Sequence, residues 1–298
     1  MASKIRLGII GMSKGNGHPY SWSAIFNGYN REIMEECPFP AIPAYLKNQQ
    51  FPEDGLGELG QVTHIWTQDR KLSEHIAKAS NIDWVVDRAD EMIGKVDAIL
   101  LARDDAEHHV EMAIPFLDAG IPIFIDKPFA LSISDAEKML SCRVSKNQIF
   151  TCSSIRYAEE LKLTTSDRET LGEILYVEAG ISKEWDTYAI HVIEPIIAQF
   201  PDRGNLLELK AVKNNAIHQA LIKWEHLNAY IKVTGSLPTL PFLTFYGLNG
   251  TITKRFKDSF ACFRSSLFSF IKQIEKDELL IPEEETLELV KIIEWGRK

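Results

Sequence analysis

Residues 98–131, "AILLARDDAEHHVEMAIPFLDAGIPIFIDKPFAL", decide the fold. An apolar run at 96–102 is followed by apolar residues at helical spacing over 106–119 and then by a second apolar run at 121–125. Neither run alternates with polar residues, as expected of strands buried on both faces of a parallel sheet. A strand, a helix and a strand of these lengths predict parallel pairing of the two strands. The same rhythm extends outward in both directions. Strands are predicted at 5–10, 62–67, 84–86 and 149–153, and helices at 21–29, 71–79, 89–93 and from Ser132 or Ser134 to Leu140. Strands alternating with helices imply a doubly wound parallel sheet. The segment 37–60, with "CPFPAIP" and "FPEDGLGELG", interrupts this rhythm with Pro and Gly and reads as an insertion. It leaves the end of a helix and enters the start of a strand, which predicts a place on the edge away from the ligand side and a packing or subunit-contact role.

After about residue 155 the pattern changes. Strand-like stretches at 174–181, 206–213, 216–224, 228–234 and 242–256 follow one another with turn signals such as "NN", "GS" and "NG". Consecutive strands predict a mainly antiparallel open sheet, and two helices at 260–276 and 283–295 close the chain. The fold class is therefore α/β: an N-terminal Rossmann domain over 1–153 and a C-terminal α+β domain over 154–298.

The 298 residues suffice for a large buried core. With 33 Lys plus Arg against 42 Asp plus Glu, the net charge of -9 argues against nucleic acid or an anionic membrane as partner, because both repel an acidic surface. Cys37, Cys142, Cys152 and Cys262 are widely spaced among apolar neighbours, so buried free thiols in a reducing compartment are expected, with no metal site. The start, "MASKIRLGIIGM", has too short an apolar core for a secretory signal, and a cytoplasmic protein is the expectation.

Between the first strand and first helix, "GIIGMSKGNGHPYSW" places Gly11, Gly15 and Gly17 where backbone amides and a helix N-terminus hold a pyrophosphate. The spacing is G-x-x-x-G-x-G rather than G-x-G-x-x-G. Gly11, Ser13, Lys14, Gly15 and Gly17 are the candidate cofactor cradle. At the end of the second strand, "HIWTQDR" puts Thr67 where an acid binds the adenosine ribose in related folds, with Asp69 and Arg70 just beyond. Asp69 suits a ribose hydroxyl and Arg70 a 2'-phosphate, so for a dinucleotide held here this segment leaves the choice of NAD or NADP open.

The strand ending at Ile125 delivers Asp126 and Lys127 to the carboxyl edge of the sheet, where ligands bind. A partly desolvated lysine there polarises a substrate hydroxyl or shuttles its proton. "IPIFIDKPFALSISDAEKML" resembles the Glu-Lys-Pro segment of the glucose-fructose oxidoreductase / inositol dehydrogenase / rhizopine catabolism (Gfo/Idh/MocA) family, with Asp126 in place of Glu. "AILLARDDAEHHVEMAIPFLDAG" resembles that family's strand, Thr-Pro-Asn-x-x-His turn and helix, with Arg103-Asp104-Asp105 in place of Thr-Pro-Asn and His108 as the histidine. The resemblance extends over nearly the whole chain.

It implies cofactor contacts from Ala102, Arg103, Asp105, His108 and Lys127, and substrate contacts from Lys127, Arg156 in "SSIRYAEEL", Tyr188 and His191. The family's Asp-x-Gly-x-His motif corresponds to "EWDTYAIHVIEP", where His191 and Glu194 keep their interval. Thr187 stands at the acid's position, Ala189 at the glycine's, and Asp186 lies one residue early. Lys127, His191 and Asp186 are the catalytic candidates. The implied activity is NAD(P)-dependent hydride transfer to or from a secondary alcohol or ketone of a sugar, sugar derivative or cyclitol, with cofactor between the domains, in a homo-oligomer, dimer or tetramer. The altered motifs leave a second reading, a nucleotide-binding sensor or scaffold without turnover. A short-chain dehydrogenase is set aside because none of the eight tyrosines has a lysine four residues later.

Overall fold

The computed structural model describes residues 4–297, which divide into two compact units. The first comprises the described residues up to Phe129, Ser134–Thr151 and Phe263–Ile281; the second comprises Ala130–Ile133, Cys152–Cys262 and the described residues from Pro282 onward. The division is thus not a single cut, since the chain returns to the first unit over residues 263–281.

In the first unit, β1 (Ile5–Ile10) leads to α1 (His18–Asn27), the short helices α2 (Arg31–Met34) and α3 (Ala41–Leu46), β2 (Gly60–Trp66), α4 (Arg70–Ala79), β3 (Trp84–Val85), β4 (Ala98–Leu101), α5 (His109–Asp118), β5 (Ile123–Ile125), α6 (Ile133–Ser141) and β6 (Ile149–Thr151). The six strands are all parallel, in the order β3-β2-β1-β4-β5-β6. The chain begins mid-sheet, winds to one edge and returns to the other, so the order reverses between β1 and β4 and the carboxyl ends there face the ligand crevice of a doubly wound sheet. Leu7, Ile9, Ile10 and every residue of β4 and β5 are buried, which accounts for their unbroken apolar sequence.

Helix α1 starts at His18, three residues earlier than the spacing predicts. Gly17 is its N-cap and Pro19 occupies its first turn, where a fixed φ and a missing N–H cost nothing. The insertion departs from expectation. Instead of staying at the far edge, it returns to the glycine loop: Tyr45 of α3 donates to Ser21 Oγ at 2.5 Å, and a Cβ on Gly17 would lie 2.6 Å from both Phe39 and Ile42. Gly17 is glycine because this packing leaves no room for a side chain.

In the second unit, α7 (Thr165–Leu171) precedes β7 (Ile174–Ile181), α8 (Trp185–Tyr188), α9 (Ile190–Gln199), β8 (Leu206–Asn214), β9 (Ile217–Trp224), β10 (Asn228–Val233), β11 (Phe242–Gly247) and β12 (Gly250–Arg255). Of α10 (Ser259–Lys276), only the first turn belongs here; α11 (Glu283–Gly296) ends the unit. The sheet order is β12-β11-β7-β10-β9-β8, antiparallel throughout except for the parallel pair β7 and β10. Val177, Ala179, Ile222, Ile231, Val233 and Phe245 line one sheet face and bury Val192, Ile193, Ile196 and Ile197 of α9 with Ile292 and Ile293 of α11. The other face carries polar and aromatic residues among its exposed ones: Glu178 accepts from Lys232 at 2.8 Å and from the Tyr246 hydroxyl at 3.2 Å. This period of two is what a half-covered antiparallel sheet requires.

Cys37, Cys152 and Cys262 are buried and Cys142 is half-buried, none of them in a disulfide among the described residues. Among the described residues no helix is long and apolar enough to cross a membrane.

Candidate active site

The loop from Gly11 to Gly17 joins β1 to α1 at the point where the strand order reverses. Gly11 donates its amide to Trp66 O at 3.0 Å, and a Cβ on it would lie 2.3 Å from Pro19 Cγ, so the loop turns hard against the helix start. Gly15 has φ of +85°, a left-handed conformation that favours glycine, with open space beside it. Among the described residues the amides of Lys14, Gly15 and Gly17 have no acceptor. Three unpaired N–H groups at the head of a ten-residue helix are the kind of donors that suit an anion such as the diphosphate of a dinucleotide. Lys14 lies exposed in the same loop.

Beyond β2 the predicted ribose contacts are committed locally. Thr67 is buried, its hydroxyl against Ser73 Oγ at 2.9 Å and Asp69 O at 2.7 Å. Asp69 is the N-cap of α4, accepting from the Lys71 amide at 2.9 Å. Arg70 pairs with Glu74 at 3.1 Å and with Asp87. Gln68, not singled out from the sequence, clasps the Met12 backbone: its Oε1 accepts from Met12 N at 3.0 Å and its Nε2 donates to Met12 O at 2.5 Å.

Past β4, Ala102 is buried and donates its amide to Ile10 O at 2.8 Å. Arg103 is fully engaged, with Asp105 at 2.8 Å through Nε and Gln68 at 3.2 Å. Between them Asp104 turns to the glycine loop, where Ser13 Oγ donates to Oδ1 at 2.5 Å and accepts the Asp104 amide at 3.1 Å. Lys127, 3% exposed just past β5, lies with Nζ 3.2 Å from Asp104 Oδ2. A buried amine and carboxylate need one another, since either alone carries a large desolvation cost. Burial pushes the Asp104 carboxyl up, but Lys127, the Ser13 hydroxyl and His18 outweigh it and hold the acid below its ordinary range.

Asp126, the other half of the strand-end pair, is 1% exposed and tied to the glycine loop. Its Oδ2 accepts from Asn16 Nδ2 at 2.9 Å and contacts His18 Nδ1 at 2.5 Å, while Oδ1 accepts the Lys127 amide at 2.8 Å. The histidine matched to the turn motif, His108, faces outward beside Glu111 at 2.9 Å. The buried one is His109, whose Nδ1 and Nε2 lie 3.0 Å from Phe129 O and 2.9 Å from Arg103 O. Its ring therefore joins the two segments that carry Asp104 and Lys127. The signal for it was present, because His109, Ala113 and Phe116 share the buried helical face.

In the second unit, His191 near the start of α9 has Nδ1 2.7 Å from Ser153 Oγ, and its ring meets Tyr188 edge-on with centroids 5.3 Å apart. Tyr188 in turn accepts from Lys183, whose amine also lies 4.1 Å from the centre of its ring. Asp186, the third catalytic candidate, is instead ion-paired with Arg297 at 3.2 Å, because its place one residue before Thr187 puts it on a different helical face from His191. Arg156 lies 2.8 Å from Glu285 and 3.5 Å from Glu194. Glu194 is fully buried; its Oε2 accepts the Ser153 amide at 2.6 Å, and among the described residues its Oε1 has no hydrogen-bond partner, with Arg156 3.5 Å away. Burial pushes this carboxyl up to about 7 against the pull of Arg156. Ser153 thus links Glu194 to His191, a role that a serine after a strand does not announce.

Residues 5–154 match the model of the Gfo/Idh/MocA oxidoreductases, an oxidoreductase family with an NAD-binding Rossmann fold. The chain belongs to that family. It is 24% identical over 220 residues to the uncharacterized oxidoreductase YhhX of Escherichia coli K12, an alignment spanning 65% of this chain and 63% of that protein's length. Its fold is similar to myo-inositol 2-dehydrogenase from Lactobacillus plantarum, with a TM-score of 0.73 at 14% identity over 99% of this chain and 96% of that one. It is also similar to levoglucosan dehydrogenase solved with NADH, with a TM-score of 0.73 at 13% identity over 98% and 95% of the two chains. The family supplies NAD binding and redox chemistry; the structural likenesses extend over both units.

Proposed function

We propose that this member of the family is an NAD(P)-dependent dehydrogenase or reductase acting on a secondary alcohol or ketone of a sugar, sugar derivative or cyclitol. The observation that carries the reading is Lys127, a buried amine held by Asp104 at the carboxyl end of β5, in a sheet whose glycine loop offers unpaired amides. The substrate class is supported by the inositol and levoglucosan dehydrogenases among the similar structures. When bound, the nicotinamide supplies the hydride acceptor for alcohol oxidation and the hydride donor for ketone reduction.

The chain's own groups do the rest. Gly11, Ser13, Lys14, Gly15 and Gly17 cradle the diphosphate, and Thr67, Asp69 and Arg70 flank the adenosine ribose. Ala102, Arg103, Asp105 and His108 border the dinucleotide along the end of β4. Lys127 donates to the substrate oxygen and stabilises the negative charge that develops there. His191 and Tyr188 anchor the substrate with Arg156. In this reading the first unit holds cofactor, and the second binds substrate and self-associates as a dimer or tetramer.

Titration of NADH and NADPH against tryptophan fluorescence should give saturable binding of at least one. Myo-inositol and levoglucosan, with the matching oxidised cofactor, should then raise absorbance at the reduced-nicotinamide band. Lys127→Ala should lower kcat by about 10²-fold or more. Failure to bind either cofactor would sink the proposal. A second reading, a nucleotide sensor without turnover, draws on Thr187 at the motif acid's position. It predicts tight NADH binding and no absorbance change with any polyol.

A further inference from the structure

Lys127 and Asp104 form an ion pair, and an ammonium gives a proton rather than takes one. Oxidation of an alcohol therefore requires another group to receive the hydroxyl proton. Two imidazoles are candidates, and their surroundings differ. His191 Nδ1 lies against the Ser153 hydroxyl, and His18 Nδ1 lies against the buried carboxylate of Asp126 at 2.5 Å.

The Asp126 carboxylate is itself held in place. Asn16 Nδ2 reaches Oδ2 at 2.9 Å, and the Lys127 amide reaches Oδ1 at 2.8 Å. A carboxylate only accepts, so in this contact the hydrogen sits on His18 Nδ1, and in the neutral tautomer that leaves the lone pair at Nε2. The ring is fixed by stacking on Trp22, with centroids 4.9 Å apart, and by the edge of Phe263 at the same distance. Its side chain remains 17% exposed while that of Asp126 is 2% exposed. The charged groups around it are Asp126 past β5, Asp104 past β4 and Lys127, which is ion-paired with Asp104. The carboxylate contacts of His75 and His108 use exposed glutamates or a longer contact to Asp105.

We infer that His18, oriented by Asp126, is a second catalytic residue of the proposed dehydrogenase: the base that takes the substrate hydroxyl proton, with Lys127 as the donor to the same oxygen. This rests on the reading of the site as a hydride-transfer site. In the oxidative direction the O–H bond breaks with its proton passing to Nε2, the C–H bond breaks with its electron pair passing to the oxidised nicotinamide, and the C=O bond forms. Reduction returns the proton from the imidazolium. The role also accounts for Asp126, whose side chain serves the glycine loop and places His18 beside the strand end that carries Lys127.

Two measurements test it. Imidazole ¹⁵N NMR on the wild-type chain, with His18→Gln to assign the signal, needs no substrate. It should show a protonated Nδ1 and a bare Nε2 for His18, and Asp126→Asn should weaken that preference. A wild-type His18 protonated at Nε2 alone overturns the inference. In the polyol assay, His18→Ala should lower kcat by about 10²-fold or more with NADH affinity unchanged, and added imidazole should restore part of the rate. Unchanged kcat, or a loss that imidazole does not relieve, also overturns it. A wild type that binds NADH but oxidises no polyol instead overturns the functional reading, and the NMR result then decides the state of the dyad by itself.

Discussion

Ser153 shows how one hydroxyl sets the geometry of a histidine. Its Oγ accepts the Ile155 amide at 3.2 Å while contacting His191 Nδ1 at 2.7 Å, and its own amide is held by Glu194. Ser153→Ala should therefore lower kcat in the polyol assay by about five- to tenfold, the equivalent of one hydrogen bond of about 1 kcal/mol, and Ser153→Thr should restore most of it. Cofactor affinity should not move in either variant; equal kcat in Ser153→Ala and wild type would remove Ser153 from the positioning role. At this scale the sequence was most informative about Lys127, because a charged residue directly after a buried strand has few places to go. It was least informative where adjacent residues compete. His108 and His109, like Asp186 and Thr187, differ by one position, and one position turns a side chain about 100° around a helix.

Among the elements, the start of α4 carries a stability cost that can be measured. Asp69 caps the helix through the Lys71 amide, and Thr67 and Ser73 close the same turn. Asp69→Ala should destabilise the protein by about 1 kcal/mol in urea unfolding, and Asp69→Asn by much less, because asparagine retains the acceptor. Equal stability of Asp69→Ala and wild type would rule out the cap as a stabilising contact. The alternation of strands and helices in the first unit was legible because each buried strand is a short apolar run and each helix has an apolar stripe. The course of the insertion was not. Its Pro-rich composition announces irregular backbone, but the return of α3 to the glycine loop follows from Phe39, Ile42 and Tyr45 finding apolar and hydroxyl partners on α1.

For the molecule as a whole, the buried Glu194 makes stability depend on pH. Its carboxyl is ordinarily half-ionised at 4.5, as in the unfolded chain, and burial raises it to about 7 in the folded protein. Between these values the folded state binds the proton and the unfolded state has lost it, so stability falls as pH rises from about 4.5 to about 7. The magnitude is on the order of 3 kcal/mol. Glu194→Gln should flatten that part of the urea-unfolding profile, with Arg156 still matched by Glu285 at 2.8 Å; a profile as steep as wild type would exclude Glu194 as the source. Acidity of a group like this is invisible in the sequence, where Glu194 is one of 42 acidic residues. What the sequence by itself determined was the order and type of elements, the fold class and the residues at the sheet's carboxyl edge, since hydrophobic period, chain direction and glycine placement are local properties. Tertiary structure alone decided which charges are paired: Asp104 with Lys127, Asp126 with His18, Asp186 with Arg297. These partners lie far apart along the chain, and the first two pairs meet where folding has removed most of the water that would otherwise screen them.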